Sequence, residues 1–178
     1  VVPVFGGAGA IATLVTRTAE VLQTLNLAHE VILVDDASAS PTCDIARRVA
    51  QTQSSVRLVR FARNCGQHAA LLAGVREAVY PTVVTLDDDL QNPPQEIAKL
   101  IAKAYEGYDL VMGRFATKQH SAVRRIGSTF VGWLNCKAFE VSDRLIFSNF
   151  RIVRRDVIDR VCQDNSISPY VPCLLLKW

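Results

Sequence analysis

The sequence predicts an α/β fold in which a single, mostly parallel sheet is flanked by helices. Short β-branched runs alternate along the chain with helix-length amphipathic segments. The runs are apolar on both faces, as buried parallel strands are, and polar residues cluster where the runs stop. In a sheet of this kind the functional groups gather beyond the C-terminal ends of the strands.

Val1 to Phe5 reads as the first strand. The Gly6-Gly7-Ala8-Gly9 that follows does not fit the G-x-G-x-x-G spacing of a dinucleotide site. Glu30 to Val34 is the second strand, closed by Asp35-Asp36, and Val56 to Phe61 is the third, closed by Arg63-Asn64. From Gln67 to Val79 the pattern is helical, with Leu71, Leu72, Val75, Ala78 and Val79 on one face. Thr82 to Leu86 is the fourth strand, ending at Asp87-Asp88-Asp89, and Tyr108 to Met112 is the fifth. Past Arg114 the alternation fails: a helix is expected around Arg124 to Cys136, an irregular stretch to Asn149, a strand at Phe150 to Val153 and a helix from about Arg155. No repeat, linker or low-complexity segment interrupts the chain.

With 178 residues, 49% of them hydrophobic and 21% charged, the sequence has the composition of one globular domain, which excludes disorder. It starts at Val1 and stops in the apolar Leu174-Leu175-Leu176-Lys177-Trp178, so residues 1–178 are expected to be a fragment, one catalytic domain without a membrane-anchoring C-terminal part. No run approaches the roughly 18 apolar residues of a spanning helix and no signal peptide opens the chain, so the fragment itself is expected to be soluble. The five cysteines are odd in number and lack C-x-x-C spacing, which argues against a disulfide framework or a zinc site and predicts reduced thiols of a cytosolic setting. Net charge is +3, but between Arg114 and Arg160 ten basic residues face four acidic ones, leaving that segment at +6 and the remainder at −3. A basic segment of this kind suits phosphates or a lipid headgroup surface; no nucleic-acid partner is expected.

Three consecutive carboxylates at a strand end repel one another, so Asp87-Asp88-Asp89, followed by Leu90-Gln91-Asn92-Pro93-Pro94, calls for a cation. Carboxylates and an amide oxygen are hard ligands suited to Mg²⁺ or Mn²⁺, which bind through one or two carboxylates plus substrate phosphates. If the segment is extended, Asp87 and Asp89 share a side and Asp88 points away, which assigns the metal to Asp89 with Asp87 and Gln91 nearby. Asp35 is placed to accept hydrogen bonds from a ribose or base edge, while Asp36 also reads as a turn or helix cap. Arg63 adds a fixed charge beside the amides that open the next helix. His68, one turn into that helix, reads as a packing residue more than as a base. Arg124, Arg125, Arg151, Arg154 and Arg155 supply bidentate donors for a diphosphate or lipid phosphate.

Taken together, Val2-Pro3-Val4-Phe5, Val34-Asp35-Asp36-Ala37-Ser38, Arg63-Asn64-Cys65-Gly66-Gln67-His68, Thr85 to Pro94 and Asn149-Phe150-Arg151-Ile152-Val153-Arg154-Arg155 resemble family 2 glycosyltransferases of the GT-A fold, with its Rossmann-like sheet. The similarity is greatest to the polyprenyl-phosphate branch, which includes dolichyl-phosphate mannosyltransferase and bacterial undecaprenyl-phosphate glycosyltransferases. It implies an inverting transfer from a nucleotide-sugar donor, a UDP- or GDP-sugar, to a polyprenyl phosphate acceptor at the cytoplasmic face of a membrane, using Mg²⁺ or Mn²⁺. By position, Asp87, Asp89 and Gln91 match the metal and diphosphate site, with Asp88 beside them. Pro3, Val4, Phe5 and Asp35 match the nucleotide site, and Arg124 or Arg125 with Arg151 match arginines near the phosphates. The chain departs from the family after the first strand, where Phe5-Gly6-Gly7-Ala8-Gly9 stands in place of Tyr-Asn-Glu-Glu.

Two other readings share these residues. A family 2 transferase acting on a sugar hydroxyl requires a carboxylate base, for which Glu140 and Asp143 are the candidates. A non-catalytic nucleotide-sugar-binding domain is compatible with the missing acids after the first strand. A dinucleotide-dependent oxidoreductase is disfavoured by the glycine spacing.

Overall fold

The computed structural model describes residues 1–113, 148–163, 171, 174 and 175. The β-branched runs become strands in the expected order. β1 (Val2–Val4), β2 (Val31–Asp35) and β3 (Val56–Arg60) form a parallel sheet of order β1-β2-β3, in which Val4, Asp35 and Arg60 lie in register at the C-terminal edge. All of β2 is buried, in keeping with a central strand covered on both faces. β4 (Thr82–Thr85) and β5 (Leu110–Met112) each pair antiparallel with β6 (Arg151–Arg154), giving the order β4-β6-β5.

The single sheet expected from the sequence is thus two three-stranded ladders, and they meet edge to edge. The nitrogen of Val1 donates to the Val84 carbonyl (2.7 Å) and the Leu86 N–H donates to the Val1 carbonyl (3.2 Å), the bonding of a parallel pair. Among the described strands only β6 runs against the rest. This edge-to-edge arrangement brings the ends of β1 and β4 side by side.

Helices cover both faces. α1 (Ile11–Thr24), α2 (Thr42–Thr52) and α4 (Ile97–Tyr105) pack Leu14, Ala46, Val49, Ile97 and Leu100 against Val2, Val4, Val31 and Leu33. α3 (Gln67–Glu77) and α5 (Arg155–Cys162) close the other face, with Leu71, Val75, Ile158 and Val161 against Ile32, Val34, Val83 and Val153.

Most strand boundaries lie within one or two residues of the sequence reading, and two of the differences have a visible cause. Phe5 is outside β1 because its N–H leaves the ladder and donates to Asp88 Oδ2. Val79 is outside α3 and 72% exposed: Ala78 is already extended (φ −68°, ψ 135°), and the Val79 N–H is taken by Glu30 Oε1 at 2.8 Å. Pro81, two residues on, cannot donate to a continuing helix. The helix expected around Arg124 to Cys136 lies outside the described residues. Cys43, Cys65 and Cys162 are free thiols, and among the described residues no helix is long and apolar enough to cross a membrane.

Candidate functional site

At the C-terminal edge of the sheet lies an open cleft of about 410 Å³. One wall is Pro3, Val4 and the 64% exposed Phe5; another is Asp36 with Asn64, Gly66 and Gln67; the third is Asp87, Asp88 and Asp89. A second cavity, about 450 Å³, sits at the opposite ends of the strands and is lined mainly by apolar side chains such as Val2, Leu22, Val83 and Ile101. The first cleft is where the charged chemistry converges.

β4 stops at Thr85, so the three aspartates lie beyond the strand, Asp88 and Asp89 in a turn that leads to Leu90 at φ 59°. The alternation of sides expected for an extended segment does not apply beyond the strand end, and all three aspartates are among the residues that line the cleft. Asp87 Oδ1 accepts from Gln67 Nε2 (2.6 Å) and from Asn149 Nδ2 (3.2 Å). Asp88 Oδ2 accepts the Phe5 N–H (3.1 Å), which ties the acidic turn to the end of β1. Burial raises the Asp88 carboxyl above its usual range; the Phe5 N–H opposes that shift, while Asp89 and Asp87 add to it. A Cβ at Gly7 would collide with the Asp88 carboxylate, so a side chain there would push Asp88 out of this position. Asp89 is exposed, and its Oδ1 accepts the Gln91 N–H at 3.0 Å. Gln91 itself is exposed and lies outside the cleft lining.

After β2 the two aspartates divide their roles in a way the sequence did not foretell. Asp35 is fully buried, its Oδ1 accepting the Ser38 N–H (2.8 Å) and its Oδ2 lying 3.1 Å from Arg60 Nε, close enough for an ion pair but not aligned as a hydrogen bond. It does not line the cleft. Asp36 does, and both its oxygens clamp the next loop, accepting the N–H groups of Cys65 (2.7 Å) and Gly66 (2.9 Å). Gly66 holds φ 88°, a conformation that costs a side-chain-bearing residue but not glycine, and α3 starts immediately after it. Arg63 is exposed on this loop and does not line the cleft.

Arg151 is 0% exposed. Its Nε donates to Thr85 Oγ1 (3.2 Å) and its Nη2 to Asn149 Oδ1 (3.1 Å), so it reaches the cleft through Asn149 and Asp87. His68 has its pKa lowered, first by burial and then by the positive charge of Arg151, which favours neutral imidazole. Arg154 and Arg155 are committed elsewhere: Arg154 pairs with Asp109 (2.9 Å) and Asp156 (3.3 Å), and Arg155 donates to the carbonyls of Ala78 and Tyr80. Arg124, Arg125, Glu140 and Asp143 lie outside the described residues. Gln67 and Asn149 stand in the motifs quoted above, yet as uncharged amides they gave no signal of contact with Asp87.

The donor set fits Mg²⁺ or Mn²⁺ bound in part by substrate. Among the described residues no three His, Cys, Asp or Glu side chains form a metal-holding group, so those residues alone offer no complete cage. They do offer hard carboxylates under mutual repulsion, with Asp89 Oδ2 making no hydrogen bond among the described residues. A cation held by one or two carboxylates and the oxygens of a diphosphate matches that supply.

The glycosyl transferase family 2 domain matches residues 1–162. Over 175 residues the chain is 35% identical to the undecaprenyl-phosphate 4-deoxy-4-formamido-L-arabinose transferase of Proteus mirabilis, covering 98% of this chain and 54% of that one. The chain therefore belongs to glycosyl transferase family 2, and it spans about half the length of the curated relatives it matches. Its fold is shared with the Mycobacterium tuberculosis glucosyl-3-phosphoglycerate synthase solved with Mn²⁺, UDP-glucose and phosphoglyceric acid: TM-score 0.66, 19% identity, 88% of this chain and 55% of the other. It is shared too with a Pyrobaculum calidifontis mannosyltransferase in complex with GDP-mannose and Mn²⁺: TM-score 0.57, 20% identity, 90% of this chain and 45% of the other.

Proposed function

We propose that this family 2 chain is the donor-binding, catalytic part of an inverting glycosyltransferase that moves a sugar from a nucleotide sugar to a polyprenyl phosphate. The observation that carries the reading is the convergence of Asp87, Asp88 and Asp89 on one cleft beside the end of β1. The names of the curated relatives support the lipid-phosphate acceptor, and the Mn²⁺ complexes of the structural neighbours support a divalent cation. Such a lipid acceptor places the reaction at a membrane surface, in this reading its cytoplasmic face.

Asp89 and Asp87 would hold the cation, with Gln91 at the outer edge of the turn. When bound, the cation neutralises charge on the departing nucleoside diphosphate. The exposed ring of Phe5, beside Pro3 and Val4, offers a face on which a nucleobase stacks. Asp36 and Asn64 present polar groups on the same side. Asp88 keeps the Phe5 end of the cleft in place against the metal turn, and buried Arg151 contributes positive charge behind Asp87. Asp35 and Arg63 act at a distance in this scheme, Asp35 by fixing the turn that carries Asp36. A lipid phosphate is anionic before it attacks, so no strong general base is needed, and a His68 held neutral is compatible with that.

The test is transfer of radiolabelled sugar from a panel of UDP- and GDP-sugars to undecaprenyl phosphate in detergent, with Mn²⁺ or EDTA. Label that partitions with the lipid only when metal is present supports the assignment. Label that passes instead to a sugar hydroxyl acceptor shifts it to the other branch of the family.

A further inference from the structure

Two uncharged side chains converge on Asp87 from elements far apart in sequence. Gln67, the first residue of α3, donates Nε2–H to Asp87 Oδ1 at 2.6 Å, and Asn149, just before β6, donates Nδ2–H to the same oxygen at 3.2 Å. Asn149 is itself braced. Its Oδ1 accepts from Arg151 Nη2 at 3.1 Å, and its main-chain carbonyl accepts from the hydroxyl of Thr85. The Thr85 oxygen in turn accepts from Arg151 Nε at 3.2 Å, and Arg151 is 0% exposed. Two donors on one oxygen fix the plane of a carboxylate, and amides do so without bringing a charge that would compete with a cation.

We propose that Asn149 and Gln67 are positioning residues for the cation and diphosphate, holding the Asp87 carboxylate in its metal-facing orientation, with Asn149 passing on the rigidity of the buried Arg151 and Thr85. This rests on the reading of the cleft as a metal-dependent nucleotide site. Neither amide needs to touch the donor. Removing a group that orients a metal-ligating side chain typically weakens metal binding by about 10–100-fold. Were the two bonds merely ties between α3, β6 and the acidic turn, their loss would lower the melting temperature and leave the metal affinity of the folded protein alone.

The experiment is Mn²⁺ affinity, by calorimetry and by the EPR spectrum of bound Mn²⁺, in the presence of saturating UDP or GDP. Metal-free nucleotide binding and melting temperature are measured beside it, on the wild type, Asn149→Ala and Gln67→Ala. The expected result is Mn²⁺ binding weaker by about tenfold or more in each variant, with metal-free nucleotide binding unchanged. Gln67 is exposed, so Gln67→Ala decides the matter even if Asn149→Ala does not fold. Wild-type Mn²⁺ affinity in folded variants overturns the positioning role. A wild type that takes up no Mn²⁺ with either nucleotide overturns the reading of the cleft, and the positioning role with it.

Discussion

Asp88 is the residue on which the cleft's geometry and its electrostatics meet. It sits where Gly7 leaves room, accepts the Phe5 N–H, and carries a carboxyl whose pKa burial raises. An acid whose folded pKa stands above its unfolded value holds its proton longer in the native state. Its contribution therefore favours the fold in acid and turns against it as pH rises through and above the ordinary carboxylate range, about 3.9 for aspartate. Asp88→Asn removes the charge while keeping an oxygen for the Phe5 N–H. The variant should melt above the wild type at neutral pH, with the gap narrowing as the pH falls towards about 4 and gone below it in melts run across that range. A gap independent of pH would mean that Asp88 is not strained by its surroundings. The sequence showed that three adjacent acids need a counter-charge. It did not show which of them is tethered, because the alternation argument assumed a strand where the chain makes a turn.

At the scale of elements, the loop between β3 and α3 is shaped from outside itself. Asp36 reaches across from the end of β2 to take the N–H groups of Cys65 and Gly66, and Gly66 at φ 88° then releases the chain into α3, whose first residue meets Asp87. Asp36→Ala leaves two N–H groups without their charged acceptor, and each such bond is worth about 1.5–3 kcal/mol. The expected outcome is a stability loss of about that size or more, with hydrogen exchange at Cys65 and Gly66 speeding up before exchange in β2 does. The strands themselves were legible, since runs such as Val31-Ile32-Leu33-Val34 leave little else to be. Side-chain reach was not. Asp35 and Asp36 are chemically identical neighbours, both buried, and only the packed structure makes Asp36 rather than Asp35 part of the cleft wall.

At the scale of the whole molecule, two three-stranded ladders meet at β1 and β4, and that meeting places the end of β1 beside the acidic turn. The reversed strand β6, entering between β4 and β5, carries buried Arg151 and sets Asn149 behind Asp87. Nothing in Arg151-Ile152-Val153-Arg154 encodes direction, so the reversal of this strand against its neighbours is not legible in the residues. The α/β class, the succession of strands along the chain and the gathering of polar groups at the strand ends were readable, because apolar periodicity and polar termini report them directly. On the proposed function, the Asp87 to Asp89 turn binds a nucleoside diphosphate through a divalent cation. The most direct measurement is calorimetric binding of UDP and GDP, with and without Mn²⁺, to the wild type and to Asp89→Ala. Binding should depend on metal in the wild type and be lost in the variant; equal binding without metal, or in Asp89→Ala, would rule out a metal-bridged diphosphate at this turn.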